Sequence, residues 1–311
     1  MSGTRNLYNL KPEQKTLIVI VGPTASGKTG LAIELAKKLH TEIISADSRQ
    51  FFKEIPIGTA APTEEQLNAV PHHFIGNLTI SESYNVSQFE EDVLELLADK
   101  WQEQDRMILV GGSGLYVNAV CRGIDSLPDP DEDLRIKLNE LYEKNGIKAL
   151  QFKLKALDPE YYEIVDVNNP KRLLRAIEVC LQTGKTYTSF RKNKPKARDF
   201  RVIKIGLEIE RDTLNKRINN RTDEMMQSGW IEEARSVYPY RQLNALNTVG
   251  FKELFAYFDG EMTLEEATEK IKTNTRRFAK RQMTWFKKDP EIQWFSPKDK
   301  NQIFNYLDDN L

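Results

Sequence analysis

The sequence predicts an α/β fold in which a parallel-sheet core is interrupted by an inserted helical domain. Short apolar runs alternate with helical stretches in the first part of the chain, the texture becomes helical from Leu127, and a β-rich run returns at 201–209. Strands that alternate with helices favour a parallel sheet, because each crossover must be right-handed and pass over one face. The predicted domains are the first part of the core over 1–126, a helical insertion over 127–198, and a return to the core with C-terminal helices over 199–311.

The elements of the core follow from the spacing of apolar residues. Leu17–Val21 is a continuous apolar run, and the first strand is predicted at Thr16–Val21. The helix after it, to about Leu39, places Leu31 and Leu35 on one face. A helix rich in glutamate is predicted at Val86–Gln102. Further strands are predicted at Glu42–Ala46, His72–Ile75, Arg106–Val110 and Arg201–Ile209.

Helical periodicity without obvious strands defines the insertion and the end of the chain. In the insertion it predicts helices at 131–145, 147–157, 159–165 and 170–183. After the chain rejoins the sheet, it predicts helices at 211–238, 249–258 and 264–286.

Composition bounds the class of protein. The 311-residue chain is 40% hydrophobic and 29% charged, which is typical of a soluble globular protein. No apolar run approaches the roughly 20 residues that span a bilayer, and the polar start from Met1 to Thr16 lacks an apolar signal segment. Cys121 and Cys180 are too few for a disulfide framework and are not spaced as zinc ligands. We therefore expect a cytoplasmic protein with buried thiols and no membrane association.

Charge is segregated along the chain, although the net charge is only −1. Basic residues concentrate in 185–204 and again in 272–288, while acidic residues gather in 82–105 and 129–133. A charge run is most often a solvated face. Two basic runs with interleaved aromatic residues favour a surface that binds a polyanion such as a nucleic acid.

Residues 22–29 fit the phosphate-binding pattern G-x-x-x-x-G-K-[ST] at every fixed position. Backbone N–H groups of such a loop surround phosphate oxygens, Lys28 reaches the outer phosphate, and the Thr29 hydroxyl coordinates Mg²⁺. An incidental glycine-rich turn is the alternative, but a strand before the pattern and a helix after it supply the required context. The pattern predicts a P-loop NTPase-like core, a substrate that carries at least a diphosphate, and Mg²⁺ as cofactor. The predicted diphosphate-binding residues are Gly22, Pro23, Thr24, Ala25, Ser26, Gly27, Lys28 and Thr29.

The position of Asp47 distinguishes this chain from an NTP hydrolase. Such hydrolases typically end a later apolar strand with an Asp that serves Mg²⁺, whereas the strand at 106–110 runs into glycines. Asp47 lies just past the second predicted strand, where a carboxylate can face the phosphate site and take a proton from a nucleophile. The alternative is an ordinary Asx turn or helix cap.

Several motifs occur together in one order: the loop at 22–29, Ser45–Gln50 with Ile57–Ala60, Val70–Phe74, Val110–Tyr116, Asn169–Glu178 and Thr275–Trp285. In these motifs the chain resembles, nearly end to end, the bacterial tRNA dimethylallyltransferases, also called tRNA isopentenyltransferases. Many kinases and NTPases share the P-loop. The paired histidines at 72–73 and the Gly-Gly-Ser-Gly-Leu-Tyr run are far more diagnostic.

The resemblance implies transfer of a dimethylallyl group from its diphosphate to N6 of the adenosine just 3′ of a tRNA anticodon. It also implies three catalytic residues, with Asp47 as general base at the N6 amine, Thr24 beside the bridging oxygen, and Arg221 at the diphosphate. Arg217, in the same short helix, is the alternative for the last role.

The family contacts tRNA through segments that this chain also contains. Ser113 stands where threonine is commoner and keeps a hydroxyl, so we expect little change there. Phe251 and Lys252 replace a usual tyrosine and arginine, which puts any contact of the tyrosine hydroxyl in doubt. The tRNA-binding residues implied by the resemblance are Asp47, Ser48, Arg49, Gln50, Ser113, Arg135, Lys171, Arg172, Leu173, Leu174 and Arg175.

Other functions remain open at the level of sequence. A P-loop small-molecule kinase would hold a nucleoside triphosphate in the loop and use Asp47 to activate a hydroxyl. An isopentenyltransferase that acts on free adenine nucleotides would keep the donor site and lose the need for basic surfaces. A non-enzymatic RNA-binding module would use only those surfaces. The expected partners are tRNA and dimethylallyl diphosphate. We expect the protein to be a monomer.

Overall fold

A parallel six-stranded sheet forms the centre of the fold. The computed structural model describes residues 14–192 and 194–311, and the polar start discussed above lies largely outside them. The strands are β1 (Thr16–Val21), β2 (Ile43–Ser45), β3 (His72–His73), β4 (Arg106–Gly111), β5 (Arg201–Leu207) and β6 (Ile292–Phe295). Their order in the sheet is β3-β2-β4-β1-β5-β6, and all the pairings are parallel.

Helices connect and flank these strands. The helices of the first half are α1 (Lys28–Leu39), α2 (Glu64–Ala69), α3 (Val86–Lys100), α4 (Gly114–Arg122), α5 (Glu132–Leu157), α6 (Pro159–Ile164), α7 (Pro170–Thr183) and α8 (Tyr187–Phe190). Those of the second half are α9 (Arg211–Gln227), α10 (Trp230–Val237), α11 (Phe251–Phe258), α12 (Leu264–Phe286) and α13 (Lys300–Asn310), with short 3₁₀ turns at Tyr238–Tyr240 and Asn244–Leu246.

Both faces of β1 are buried, which explains its continuous apolar sequence. Leu17, Val19 and Val21 pack with residues of α3 on one face, whereas Ile18 and Ile20 pack with residues of α1 on the other. The central strand is thereby fixed, and the loop that follows it starts from a rigid base.

The predicted α/β fold class is confirmed, and some elements match to the residue. Thr16–Val21, Pro170–Thr183 and Leu264–Phe286 have the predicted bounds. The single helix predicted at 211–238 is wrong, because a turn at residues 228–229 separates α9 from α10. The helices α2, α4 and α13 and the edge strand β6 were not predicted, since they are short or follow the last strong periodic segment.

The chain divides into two compact units. The first contains the described residues up to Cys121 together with Arg198–Leu311, and the second is Arg122–Ala197. In the second unit, α5, α6 and α7 pack around Leu138, Leu154 and Ile177. The sequence placed this insertion at 127–198. The structure begins it five residues earlier, where the Lys196 N–H donates to the Arg122 carbonyl.

Among the described residues, none of the helices combines the length and hydropathy needed to span a bilayer.

Candidate functional site

The loop between β1 and α1 leaves the start of a helix open to an anion. Gly27 is the N-cap of α1 with φ +93, and no side chain caps the first turn. Ala25 also takes positive φ, at +62. Uncapped N–H groups and the positive end of the helix dipole together favour a bound anion at this point.

The ends of β2 and β4 approach each other closely beside this loop. The Ala46 N–H donates to the Val110 carbonyl at 2.8 Å, and the Ser113 N–H donates to the Ala46 carbonyl at 3.3 Å. A Cβ on Gly111 would lie 2.3 Å from the Ala46 carbonyl oxygen, so only glycine permits this approach. Asp47, the next residue after Ala46, is therefore held at the same edge of the sheet as the phosphate loop.

A cavity of about 340 Å³ lies within the first unit at this edge. Thr24, Lys28 and Thr29 line it from the loop, Asp47 lines it from the end of β2, and Arg221 lines it from α9. The structure thus brings the predicted catalytic residues and the predicted Mg²⁺ ligand to one cavity. Apolar side chains that also line it are Val110, Ile218, Met225, Trp230, Val249 and Phe278. Of the other loop residues, Ala25 and Gly27 line the cavity, and Gly22, Pro23 and Ser26 are buried.

The structure separates the two arginines that the sequence left as alternatives. Arg221 is half-buried and lines the cavity, whereas Arg217 is exposed and does not. Burial lowers the pKa of Arg221, and the nearby Asp47 carboxylate opposes that shift. Of these two arginines, Arg221 is therefore the one whose guanidinium is available to an anion in this cavity.

The pKa of Lys28 is lowered, as expected for a buried lysine in a site that would bind an anion. Its Nζ donates to the Pro23 carbonyl at 2.7 Å. Burial lowers the pKa of Lys28 to about 8, Asp47 opposes this shift, and Arg221 adds to it. A ligand that carries negative charge would stabilise the ammonium form.

Asp47 combines the two interpretations that the sequence offered. Its Oδ1 accepts the Arg49 N–H at 3.1 Å, which is an Asx turn. The same side chain lines the cavity with Lys28 and Arg221. The turn orients the carboxylate and does not replace a chemical role.

The other residues predicted to contact tRNA near Asp47 make contacts within the protein. The Arg49 guanidinium donates to the carbonyls of Asn244 and Ala245 at 2.7 and 3.1 Å. Gln50 donates to the Ala60 carbonyl at 3.1 Å, and the Ser113 Oγ accepts the Ser48 N–H at 3.1 Å. The hydroxyl of Ser113 is thus used for hydrogen bonding within the protein.

In the second unit, Glu178 organises two of the predicted tRNA-binding arginines. This carboxylate is buried and accepts hydrogen bonds from Arg135 Nε and Arg175 Nη1, both at 2.7 Å. Within the run 171–175, Lys171 and Arg172 are exposed, Leu174 and Arg175 are half-buried, and Leu173 is buried in the core of the unit. Leu173 therefore stabilises the helix that presents its neighbours.

The prediction that the two basic runs form a polyanion-binding surface is wrong for several of their residues, which make contacts within the protein instead. Arg198 pairs with the buried Glu90 at 2.8 Å, and the buried Lys204 pairs with Asp289 at 2.7 Å. In the second run, Lys272 pairs with Asp223 at 2.8 Å, and Arg276 donates to Asn219 at 2.6 Å. These cations stabilise the fold. On α12, Arg277, Phe278, Lys280, Arg281 and Trp285 remain exposed.

Phe251, a departure from the pattern of the family that the sequence resembles, is packed in the protein core. Its side chain is fully buried and meets the Trp230 ring edge-on, with the centroids 6.2 Å apart. Lys252 is exposed. Trp230 and Gln282 also line the cavity. Neither could be predicted from the sequence, because their partners are far away in the chain and no local pattern marks them.

Affinity for a diphosphate should depend on pH through Lys28. A bound anion raises the Lys28 pKa above its free value of about 8. Affinity is therefore fully present below pH 8 and falls by up to roughly tenfold per pH unit as pH rises toward the pKa of the complex. Calorimetric titration with an alkyl diphosphate measures this, since the last ionisation of such a phosphate lies near about pH 6. In Lys28→Arg the guanidinium stays charged, and the profile should be flat. Equal profiles for the two proteins would contradict the assignment.

The parallel sheet and the loop between β1 and α1 define a protein with a P-loop NTPase-like core. A family model described as IPP transferase matches residues 50–289, a segment that begins beyond the loop and Asp47. A tRNA dimethylallyltransferase 1 from Phocaeicola vulgatus is 52% identical over 292 residues, which cover 94% of this chain and 97% of the relative. The chain belongs to the IPP transferase family.

Solved structures agree with this assignment. The tRNA isopentenylpyrophosphate transferase of Bacillus halodurans is 38% identical, with a TM-score of 0.69, and the match covers 94% of this chain and 96% of the other. A eukaryotic dimethylallyltransferase described as acting on tRNA is 26% identical, with a TM-score of 0.74, over 93% of this chain and 75% of the other. The chain is therefore a transferase of the prenyltransferase class with a P-loop NTPase-like core.

Proposed function

We propose that this enzyme transfers a dimethylallyl group from dimethylallyl diphosphate to N6 of the adenosine just 3′ of the anticodon in tRNA. The products are N6-(dimethylallyl)adenosine and diphosphate. The observation that carries the proposal is that Thr24, Lys28, Asp47 and Arg221 line one cavity. This reaction needs cationic side chains that bind the leaving diphosphate and a carboxylate that accepts a proton from the acceptor.

The loop and two cations would bind the diphosphate. Uncapped N–H groups at the start of α1 suit phosphate oxygens, and Lys28 and Arg221 would neutralise charge as the C–O bond breaks. Thr24 would lie beside the bridging oxygen.

Thr29 is the residue that would hold Mg²⁺. Its hydroxyl belongs to a cavity-lining residue at the first turn of α1, and Mg²⁺ commonly takes one or two protein ligands and completes its shell with substrate phosphates and water. The donor set therefore fits this ion. When bound, Mg²⁺ would offset the negative charge of the diphosphate.

Asp47 would act as general base for the acceptor. As the C–O bond of the donor breaks, the electron pair leaves with the diphosphate, and the N6 nitrogen forms the new bond to the allylic carbon. The proton of N6 moves to the Asp47 carboxylate. The apolar side chains of Met225, Trp230 and Phe278 would exclude water from the allylic carbon.

Exposed basic and aromatic residues would bind the tRNA. On α12, Lys280 and Arg281 are exposed together with Phe278 and Trp285, a combination that suits phosphates and unstacked bases. In the second unit, the exposed Lys171 and Arg172 and the organised Arg135 and Arg175 would add backbone contacts. We propose that the enzyme works as a monomer in the cytoplasm.

Mass spectrometry of tRNA nucleosides after incubation with each candidate donor tests this function. With dimethylallyl diphosphate, Mg²⁺ and unmodified tRNA, we expect N6-(dimethylallyl)adenosine. If AMP is prenylated and tRNA is not, the result would favour an isopentenyltransferase that acts on free adenine nucleotides. Phosphoryl transfer from ATP to a small molecule, with no prenylated product, would favour the kinase.

A further inference from the structure

Gln282 connects the phosphate loop to the last long helix. It lies on α12 and is only 6% exposed, whereas its neighbours Lys280 and Arg281 are exposed. Four residues earlier, Phe278 also lines the cavity, and this spacing places both side chains along one side of the helix. One helix therefore contributes a cavity residue, an internal anchor and an exposed basic surface.

Both ends of the Gln282 amide are hydrogen-bonded to the main chain of the site. Its Oε1 accepts the Thr24 N–H at 2.9 Å, and its Nε2 donates to the Gly112 carbonyl at 3.0 Å. Thr24 N–H can only donate and a carbonyl can only accept, so the amide has a single possible orientation. A carboxylate would satisfy only the first partner, and an apolar side chain would satisfy neither.

Gly112 is the matching half of this arrangement. A Cβ on Gly112 would lie 2.2 Å from Gln282 Nε2, so there is room for a larger residue here only if the Gln282 amide moves away. The Gln282 amide therefore packs closely against the main chain just after β4, and its hydrogen bond to Gly112 joins that segment to α12. Buried hydrogen bonds of this kind are costly to disturb, because removing one partner leaves a buried polar group unpaired.

The hydrogen bond to Thr24 acts at a chemically important point of the loop. Pro23 has no N–H, so Thr24 provides the first main-chain donor after Gly22, and Gln282 engages it. Thr24 also lines the cavity. A fixed main chain at Thr24 fixes the position of its Cβ and so limits where its hydroxyl can lie.

We propose that Gln282 is a positioning residue for the transfer step. It holds Thr24 in the orientation that the bridging oxygen of the donor requires, and it ties that orientation to α12, the helix with the exposed basic surface. This inference rests on the proposed function for the chemical role of Thr24. The structural link from Gln282 to Thr24 stands independently of it.

Two variants separate positioning from folding. Gln282→Met keeps the length of the side chain and removes both hydrogen bonds, and we expect kcat for tRNA prenylation to fall by about 10–100-fold, the usual effect of losing a supporting contact. Affinity for the donor should change much less, because the other loop N–H groups, Lys28 and Arg221 remain. Gln282→Glu keeps the acceptor for Thr24 and adds negative charge, so its kcat should fall less and its donor affinity more. Gln302→Met, at an exposed position of α13, makes the same chemical change away from the cavity and should match the wild type.

Hydrogen exchange tests the link without any reaction. In Gln282→Met the Thr24 amide should exchange faster, while amides in the core strand β1 stay protected. An unchanged Thr24 amide, or a wild-type kcat in the folded Met variant, overturns the inference. A loss of activity explained by a lower melting temperature and a smaller folded fraction overturns it as well. A wild-type enzyme that prenylates no tRNA defeats the proposed function instead, and the exchange experiment still decides whether Gln282 fixes Thr24.

Discussion

Asp47→Asn should abolish most turnover while leaving the fold and the donor site intact. An asparagine Oδ1 can still accept the Arg49 N–H, so the Asx turn survives. The amide cannot accept a proton from N6, and loss of a general base costs about 10²–10⁴-fold in rate. Single-turnover formation of N6-prenylated adenosine measures the loss.

Asp47→Ala is the matched comparison, because it removes both the base and the turn acceptor. If the carboxylate acts chemically, the Asn and Ala variants should lose similar turnover, and only Ala should also loosen residues 47–50. Donor binding is best compared well below pH 8, since Asp47 supports the charged form of Lys28. Nearly full activity in Asp47→Asn, with loss only in Asp47→Ala, would assign Asp47 to the turn alone.

The parts of the site that the sequence could predict are local. The loop at 22–29 fits a pattern with a fixed mechanism, and the strand before it and the helix after it are fixed by strong periodicity. Asp47 could be placed near the loop because parallel strands bring their carboxyl ends to one edge. The structure confirms this parallel sheet and places both features at the same cavity.

The parts that the sequence could not predict depend on contacts over long separations. Gln282 meets Thr24 across 258 residues of chain. Glu233 accepts the N–H groups of Ile57 and Gly58, both at 2.7 Å, and burial raises its pKa. Nothing in the local sequence marks either side chain, because an amphipathic helix with one buried polar residue reads the same whatever that residue contacts.

Charge was the least reliable guide for a related reason. A lysine or arginine in a basic run can face solvent or pair with an acid that is distant in sequence. Lys204 lies in such a run and is buried between Asp289 and Glu291. Arg281 lies in another run and is exposed. Only the packing of the helices and strands decides which cations are available to RNA.

Arg221→Gln should weaken the handling of the diphosphate far more than the same change at Arg217. Arg221 lines the cavity and, by its charge, depresses the Lys28 pKa, so its guanidinium acts on the same region of space as that ammonium. Removing one preorganised donor to a developing anion costs about 10²–10³-fold in kcat. Arg217 is exposed one turn earlier on α9, and Arg217→Gln should leave kcat and donor affinity near the wild-type values.

The shape of the guanidinium can be tested apart from its charge. Arg221→Lys keeps a cation and loses the planar fork that matches two phosphate oxygens, so its kcat should lie between those of the wild type and Arg221→Gln. The Lys28 pKa provides an independent readout, because loss of the Arg221 charge removes a contribution that lowers it. The fall in donor affinity with pH should therefore begin at higher pH in Arg221→Gln than in the wild type. If Arg217→Gln instead shows the larger loss of kcat, the diphosphate lies one turn nearer the start of α9 and the assignment of Arg221 is wrong.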